Sequence, residues 1–201
     1  MKPVGVLALQ GDFAAHQRAL AEAGADSVQV RSTAGLEQIS GLILPGGEST
    51  TMLKLLQDEG LFQPLRGFAA TNPVFGTCAG AILLARQVLA PEQSSLGLVD
   101  VTIERNAYGR QLHSTVGRLE PETALVDQCG HAPYEGVFIR APIVRRLGPN
   151  VQVLARYLGN PVLLEAGYHL LATFHPELTG DRRIHRYFIW KVHLWSQAME
   201  Q

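Results

Sequence analysis

Val74-Phe75-Gly76-Thr77-Cys78-Ala79-Gly80-Ala81-Ile82-Leu83-Leu84 carries the turn on which the fold depends. Val74 to Thr77 is a short apolar run suited to a strand buried on both faces, and Ala79 to Leu89 reads as a helix. Upstream the same alternation recurs. Val4 to Leu9 is an apolar strand broken by Gly11, and Asp12 can cap a helix running to Ala23 and closed by Gly24. Ser27 to Arg31 and Gly41 to Leu44 read as strands. Pro45-Gly46-Gly47 turns the chain, and Ser49 or Thr50 can cap a helix with Met52, Leu53, Leu55 and Leu56 on its apolar side. Leu61 to Ala70 is a further helix with Pro64 in its first turn. Such alternation predicts a parallel sheet covered by helices.

Downstream of the turn the chain is richer in strands. Leu98 to Glu104, Thr115 to Leu119, Gly136 to Ile139, Val151 to Tyr157, Val162 to Ala166 and Leu170 to Phe174 carry β-type runs. Gly159-Asn160-Pro161 and Ala166-Gly167 suit antiparallel hairpins. Asp181 to Met199 closes the chain as a helix. With no repeat, low-complexity tract or linker, residues 1–201 are expected to form one α/β domain. Its expected form is a three-layer fold: a mainly parallel central sheet, helices on both faces and an antiparallel second half.

Composition narrows the function classes. The 201 residues are 46% hydrophobic and 17% charged, enough for a core and contrary to wholesale disorder. A formal net charge of −1 gives no global field for nucleic acid or an anionic membrane. No apolar stretch approaches the roughly 20 residues that span a bilayer. Met1-Lys2-Pro3 leads directly into an apparent first strand, with no cleavable leader, so a cytoplasmic protein is expected. The two cysteines make no disulfide framework, and each is expected as a free thiol.

Gly76-Thr77-Cys78-Ala79-Gly80 has the G-x-nucleophile-x-G form of a nucleophile elbow, with Cys as the nucleophile. A sharp strand-to-helix turn brings positions two residues either side close to neighbouring elements, and glycines at 76 and 80 relieve that crowding. Cys78 then sits at a helix N-terminus, where free N–H groups favour a thiolate, and the N–H of Ala79 faces a developing oxyanion. The plainer alternative is a buried structural cysteine among small residues.

Thr173-Phe174-His175-Pro176-Glu177 supplies a base and its orienter. In extended backbone, residues i and i+2 project from one side, so Glu177 can accept a hydrogen bond from one nitrogen of His175. The other nitrogen can take the Cys78 proton and return it to a leaving group. Alone, the tripeptide reads by default as a surface turn ending a strand. The remaining histidines (His16, His113, His131, His169, His185 and His193) lack such a partner, and His185 and His193 are expected on the surface or interface of the last helix.

With both motifs in place, the sequence resembles the class I, triad-type glutamine amidotransferases. Gly5 to Gly11, Leu42 to Met52, Phe75 to Gly80, Glu104 to Gln111, Gly136 to Pro142 and Phe174 to Thr179 are similar, in that order, to the glutaminase subunits of pyridoxal 5′-phosphate synthase. The resemblance spans nearly the whole chain, and Gly46 to Thr51 with Glu104-Arg105-Asn106 carries most of its specificity. It implies a glutaminase that hydrolyses L-glutamine through Cys78, His175 and Glu177. By the same resemblance, Gly47, Glu48, Ser49, Arg105, Ile139 and Arg140 bind glutamine, and Gly47 with Ala79 forms the oxyanion hole. It also implies a hetero-oligomer with an ammonia-accepting synthase subunit. Without that context, Arg105 and Arg140 would read as surface ion-pair residues.

Leu125 to Tyr134 reads as a surface loop. Its Cys129-Gly130-His131 lacks a second ligand pair, so no metal is expected, and nothing in the chain implies a cofactor. Rival readings are a glutaminase serving another pathway, a cysteine peptidase on a similar scaffold, and a catalytically idle regulatory subunit.

Overall fold

The computed structural model describes residues 2–105, 107 and 114–199. The first half runs β1 (Val4–Leu7), α1 (Phe13–Glu22), β2 (Ser27–Val30), α2 (Thr33–Leu36), β3 (Gly41–Leu44), α3 (Ser49–Asp58), α4 (Phe62–Thr71), β4 (Val74–Thr77) and α5 (Ala79–Leu84). Next come β5 (Ala85–Leu89), β6 (Val99–Glu104), β7 (Ser114–Pro121), α6 (Thr123–Cys129), β8 (Tyr134–Ile139) and β9 (Ile143–Leu147). The chain then forms β10 (Gln152–Tyr157), β11 (Asn160–Ala166), β12 (His169–Ala172), a 3-10 turn over Pro176–Leu178 and α7 (Arg183–Met199).

Among the described residues, nine strands form a mixed sheet in the order β2-β1-β3-β4-β12-β11-β10-β7-β8. β2, β1, β3, β4 and β12 are mutually parallel, whereas each pairing from β12 out to β8 is antiparallel. The two-residue period of the strands divides the core. Leu42, Leu44, Val74 and Leu171 enter one cluster with side chains of α3, α4 and α5; Ile43, Phe75, Leu170 and Ala172 enter another with α1, α6 and α7. Helices therefore cover both faces. β1, β3 and β4 are buried along their whole length because they have no solvent face.

The structure corrects several sequence expectations. The helix expected to reach Leu89 stops at Leu84, and β5 follows. Leu83 and Leu84 offer their carbonyls to the N–H groups of Leu96 and Leu98, so the helical ladder is replaced by a cross-chain one. β5 pairs with β6, and β6 with the unanticipated β9, as a second sheet. Residues 125–134 are not a surface loop. They complete α6 and enter β8, with Leu125 and Tyr134 both fully buried. Arg183 opens the last helix, its N–H donating to Asp181 Oδ1 at 2.9 Å. No helix among the described residues is long and apolar enough to cross a membrane.

Pairing register gathers the site. Gly76 lies opposite both Leu44 and Leu171, and Thr77 opposite Ala172. The segments leaving the carboxyl ends of β1, β3, β4 and β12 therefore emerge together, where open α/β sheets place ligands.

Candidate active site

Cys78 occupies the link between β4 and α5 with φ 46° and ψ −101°, a conformation that L-residues rarely adopt. Its N–H donates to Ala172 O at 2.8 Å, which ties the turn to β12. A Cβ on Gly76 would stand 2.6 Å from the Gly80 carbonyl, and one on Gly80 would penetrate Leu44 O. Both positions must be glycine. Cys78 is 6% exposed, and its Sγ donates to Ile139 O at 3.9 Å. Ala79, the first residue of α5, is buried beside it.

His175 Nδ1 lies 2.7 Å from Glu177 Oε1, and both side chains are almost wholly buried. The pairing arises differently from the extended geometry expected. Glu177 lies in the 3-10 turn, while the His175 N–H donates to Val137 O at 2.8 Å and anchors it to β8. Gly46 packs directly on the imidazole, and a Cβ there would enter the ring. Burial alone would lower the His175 pKa. Hydrogen bonds to Cys78 and then Glu177, with their charges, outweigh it and raise the value to about 10. The sulfur and the carboxylate thus both favour the charged ring, and His175 stays protonated at neutral pH.

Gly47, Glu48, Ser49, Cys78, Arg105, Ile139, Arg140 and His175 all border one cavity of about 240 Å³. Arg105 Nη2 donates to Glu48 Oε1 at 3.0 Å, and Arg140 Nη2 lies 3.8 Å from Glu48 Oε2. Arg105 is 8% exposed, and its buried Nη1 has no hydrogen-bond partner among the described residues. Arg140, like Cys78, has positive φ (44°). The Ser49 hydroxyl donates to Gln93 Oε1 at 3.0 Å. Neither Ser49 nor Thr50 is the cap of α3; Glu48 takes that position without a side-chain capping bond. Asn106 and Tyr108–Gln111, in the Glu104–Gln111 motif, and His113 lie outside the described residues.

Two further contributors were not singled out as site residues from the sequence. Gln10 Oε1 accepts the Glu48 N–H at 3.1 Å and so fixes the loop after β3. Asp12 caps α1 with no side-chain bond to the helix, and it borders the cavity instead. Ligand atoms of Asp12, His175 and Glu177 fall within 4.8 Å of one another, with His175 Nδ1 and Glu177 Oε1 hydrogen-bonded to each other. The expectation that the other histidines lack partners fails for His16 and His185. His16 Nε2 lies 3.1 Å from Thr77 Oγ1 and 3.4 Å from Glu177 Oε2, and its Nδ1 lies 3.1 Å from His185 Nε2. His185 is fully buried, not on the helix surface.

The profile of the SNO glutamine amidotransferase family matches residues 6–194. A pyridoxal 5′-phosphate synthase subunit PdxT from Solibacter usitatus is 57% identical over 192 residues, covering 96% of this chain and 100% of that protein. One of the same description from Koribacter versatilis is 52% identical, covering 92% of this chain and 93% of its own. A crystal structure of a glutamine amidotransferase, 47% identical, superposes with a TM-score of 0.86 over 94% of this chain and 98% of that one. This chain belongs to the SNO glutamine amidotransferase family.

Proposed function

We propose that the cavity at Cys78 is where this enzyme hydrolyses L-glutamine, releasing glutamate and supplying the ammonia to a pyridoxal 5′-phosphate synthase subunit. One observation carries the assignment: a cysteine on a strained strand-to-helix turn lines one cavity with an imidazole hydrogen-bonded to a buried carboxylate, beside a buried arginine with an unused donor. Arg105 suits the α-carboxylate of a free amino acid, and Glu48 suits its ammonium. Gly47, Ser49, Ile139 and Arg140 complete the rim.

In the reaction, the Cys78 thiolate attacks the carboxamide carbon. The oxyanion takes hydrogen bonds from the N–H groups of Ala79 and Gly47, a type of contact worth roughly 2.7–4 kcal/mol of barrier for each donor. His175 protonates the departing nitrogen, ammonia leaves, and a glutamyl thioester remains. Water activated by His175 then attacks the thioester, releasing glutamate and restoring the thiol. Glu177 holds the imidazole in orientation throughout.

Ammonia released into neutral water is protonated and loses its nucleophilicity, so it must pass directly to its consumer. The relatives' designation as synthase subunits supports a partner that receives it. Both cysteines are free, consistent with a reducing cytosol. The test combines the full chain with the synthase subunit, a pentose phosphate, a triose phosphate and glutamine. Aldehyde product is expected with glutamine as the sole nitrogen source. Failure to make product from glutamine, under conditions where ammonium salts give it, would overturn the assignment.

A further inference from the structure

The buried hydrogen-bonded chain does not end at Glu177. Its Oε1 accepts from His175, while Oε2 is buried, makes no regular hydrogen bond, and faces His16 Nε2 at 3.4 Å. His16 belongs to α1 and His185 to α7, so two helices from distant parts of the sequence converge behind the carboxylate. Both histidines are completely buried. An imidazole pair that serves packing alone could be replaced by apolar residues without leaving polar atoms to satisfy. Here the pair stands against the carboxylate that holds His175.

We infer that His16, fixed by His185, is a positioning residue that directs an N–H at the second oxygen of Glu177 and thereby sets the orientation of His175. The inference rests on the hydrolytic site proposed above. The tautomer follows from the neighbours. A bare Nε2 on His16 would set a lone pair against the carboxylate, which is unfavourable, so Nε2 carries the proton and Nδ1 accepts. His185 Nε2 must then be the donor across the 3.1 Å contact, leaving its Nδ1 bare. That buried Nδ1 has no hydrogen-bond partner among the described residues, as expected for the nitrogen without a hydrogen.

Thr77 Oγ1 shares the His16 N–H at 3.1 Å, which links the same contact to the residue before Cys78. Burial, then the charges of His185 and His175, hold the His16 pKa well below its ordinary value. Burial, then Arg182, lowers that of His185 to about 3. The pair therefore stays neutral while His175 is protonated, and its donor does not compete as a second cation for Glu177.

The test uses full-length His16→Leu and His16→Gln, assayed for glutaminase with the synthase subunit present, alongside Cys78→Ala. His16→Leu should lower kcat roughly 10- to 100-fold, the scale on which outer partners of an ordered histidine act, with KM for glutamine within about twofold. His16→Gln, whose amide N–H can replace Nε2–H, should recover most of that loss. Wild-type kcat in His16→Leu, or an equal loss in His16→Gln, would refute the role. If the variants do not fold, 15N spectra of the native histidines decide. A neutral His16 with the proton on Nε2 down to pH 5 supports the inference, and a proton on Nδ1, or titration near 6.5, sinks it. Retained glutaminase activity in Cys78→Ala would instead remove the hydrolytic assignment beneath it.

Discussion

Glu177 Oε1 and His175 Nδ1 stand 2.7 Å apart because a 3-10 turn folds the carboxylate back over the imidazole, with only Pro176 between the two residues. Val137 holds one end of this turn through the His175 N–H, and Thr179 closes the other by bonding Pro176 O. The carboxylate is thus fixed by backbone as well as by its partner.

Glu177→Gln keeps the shape and removes the charge. Loss of the orienting carboxylate in comparable triads costs about 10⁴ in kcat, and a fall of roughly 10³–10⁴ is expected here with KM little changed. Because Glu177 helps raise the His175 pKa to about 10, its removal lowers that value. The alkaline limb of the pH–rate profile should therefore move toward neutrality. An unmoved limb would show that the carboxylate does not act on the ring.

Cys78→Ala removes the proposed nucleophile without disturbing the backbone hydrogen bond to Ala172. Glutamine-dependent synthesis should fall to background, while added ammonium salts still support product formation by the synthase subunit. Glutamine-dependent turnover in the variant would mean that the thioester is not on the path. The wild-type chain alone should be a poor glutaminase and should accelerate when the synthase subunit docks, because the Gly46-Gly47 segment can re-orient its peptide at little steric cost. Equal rates with and without the partner contradict that gating.

The elements most visible in the sequence were those with one possible burial pattern. β1, β3 and β4 are apolar on both faces, and the strand-to-helix turn at Cys78 announced itself through its two glycines. The resemblance, more than spacing, brought Gly47, Glu48, Ser49, Arg105, Ile139 and Arg140 to one place, since their convergence depends on the register of β3 and β4 and on the path from β8. Local pattern misread Ala85 to Leu89, whose alternation of buried and exposed residues suits a strand as well as a helix end. His16 and His185 were illegible for a different reason. Their pairing joins α1 to α7, and no short-range signal records a contact between helices so far apart in the chain.

Glycine positions separate sharply by surroundings. Gly80→Ala would drive a methyl group into Leu44 O, a backbone atom that cannot swing aside. Overpacking of this kind typically costs about 1–3 kcal/mol or more, so a marked drop in denaturation midpoint is expected. Gly67 lies within α4, where a methyl group would meet nothing within 4 Å, and Gly67→Ala should stabilise by about 0.5–1 kcal/mol. Reversed signs in equilibrium denaturation would contradict the close packing of α5 on β3.

Arg105 is held by Glu48 at 3.0 Å yet keeps a buried nitrogen free among the described residues. Arg105→Gln should raise KM for glutamine by about 10- to 150-fold, the range of a charged hydrogen bond worth about 1.5–3 kcal/mol. The change should fall on KM more than on kcat, because the proposed carboxylate contact would be made in ground and transition states alike. A loss confined to kcat would place Arg105 at the reacting carbon instead.

Buried histidines set the response to acid. Burial lowers His185 to about 3 and His169 to about 4, with His16 also well below 6.5, so the unfolded chain binds protons that the folded chain refuses. The contribution of these three histidines is therefore full above pH 6.5 and declines as pH falls from there toward their folded values, by up to about 1.4 kcal/mol per pH unit for each. Denaturant titrations between pH 7 and 4.5 should show this slope before most carboxylates titrate. His169→Gln should remove one histidine's share while leaving the neutral-pH midpoint nearly unchanged. A slope unaffected by that substitution would mean that His169 is protonated in the folded state, contrary to its burial and its proximity to the Lys191 charge.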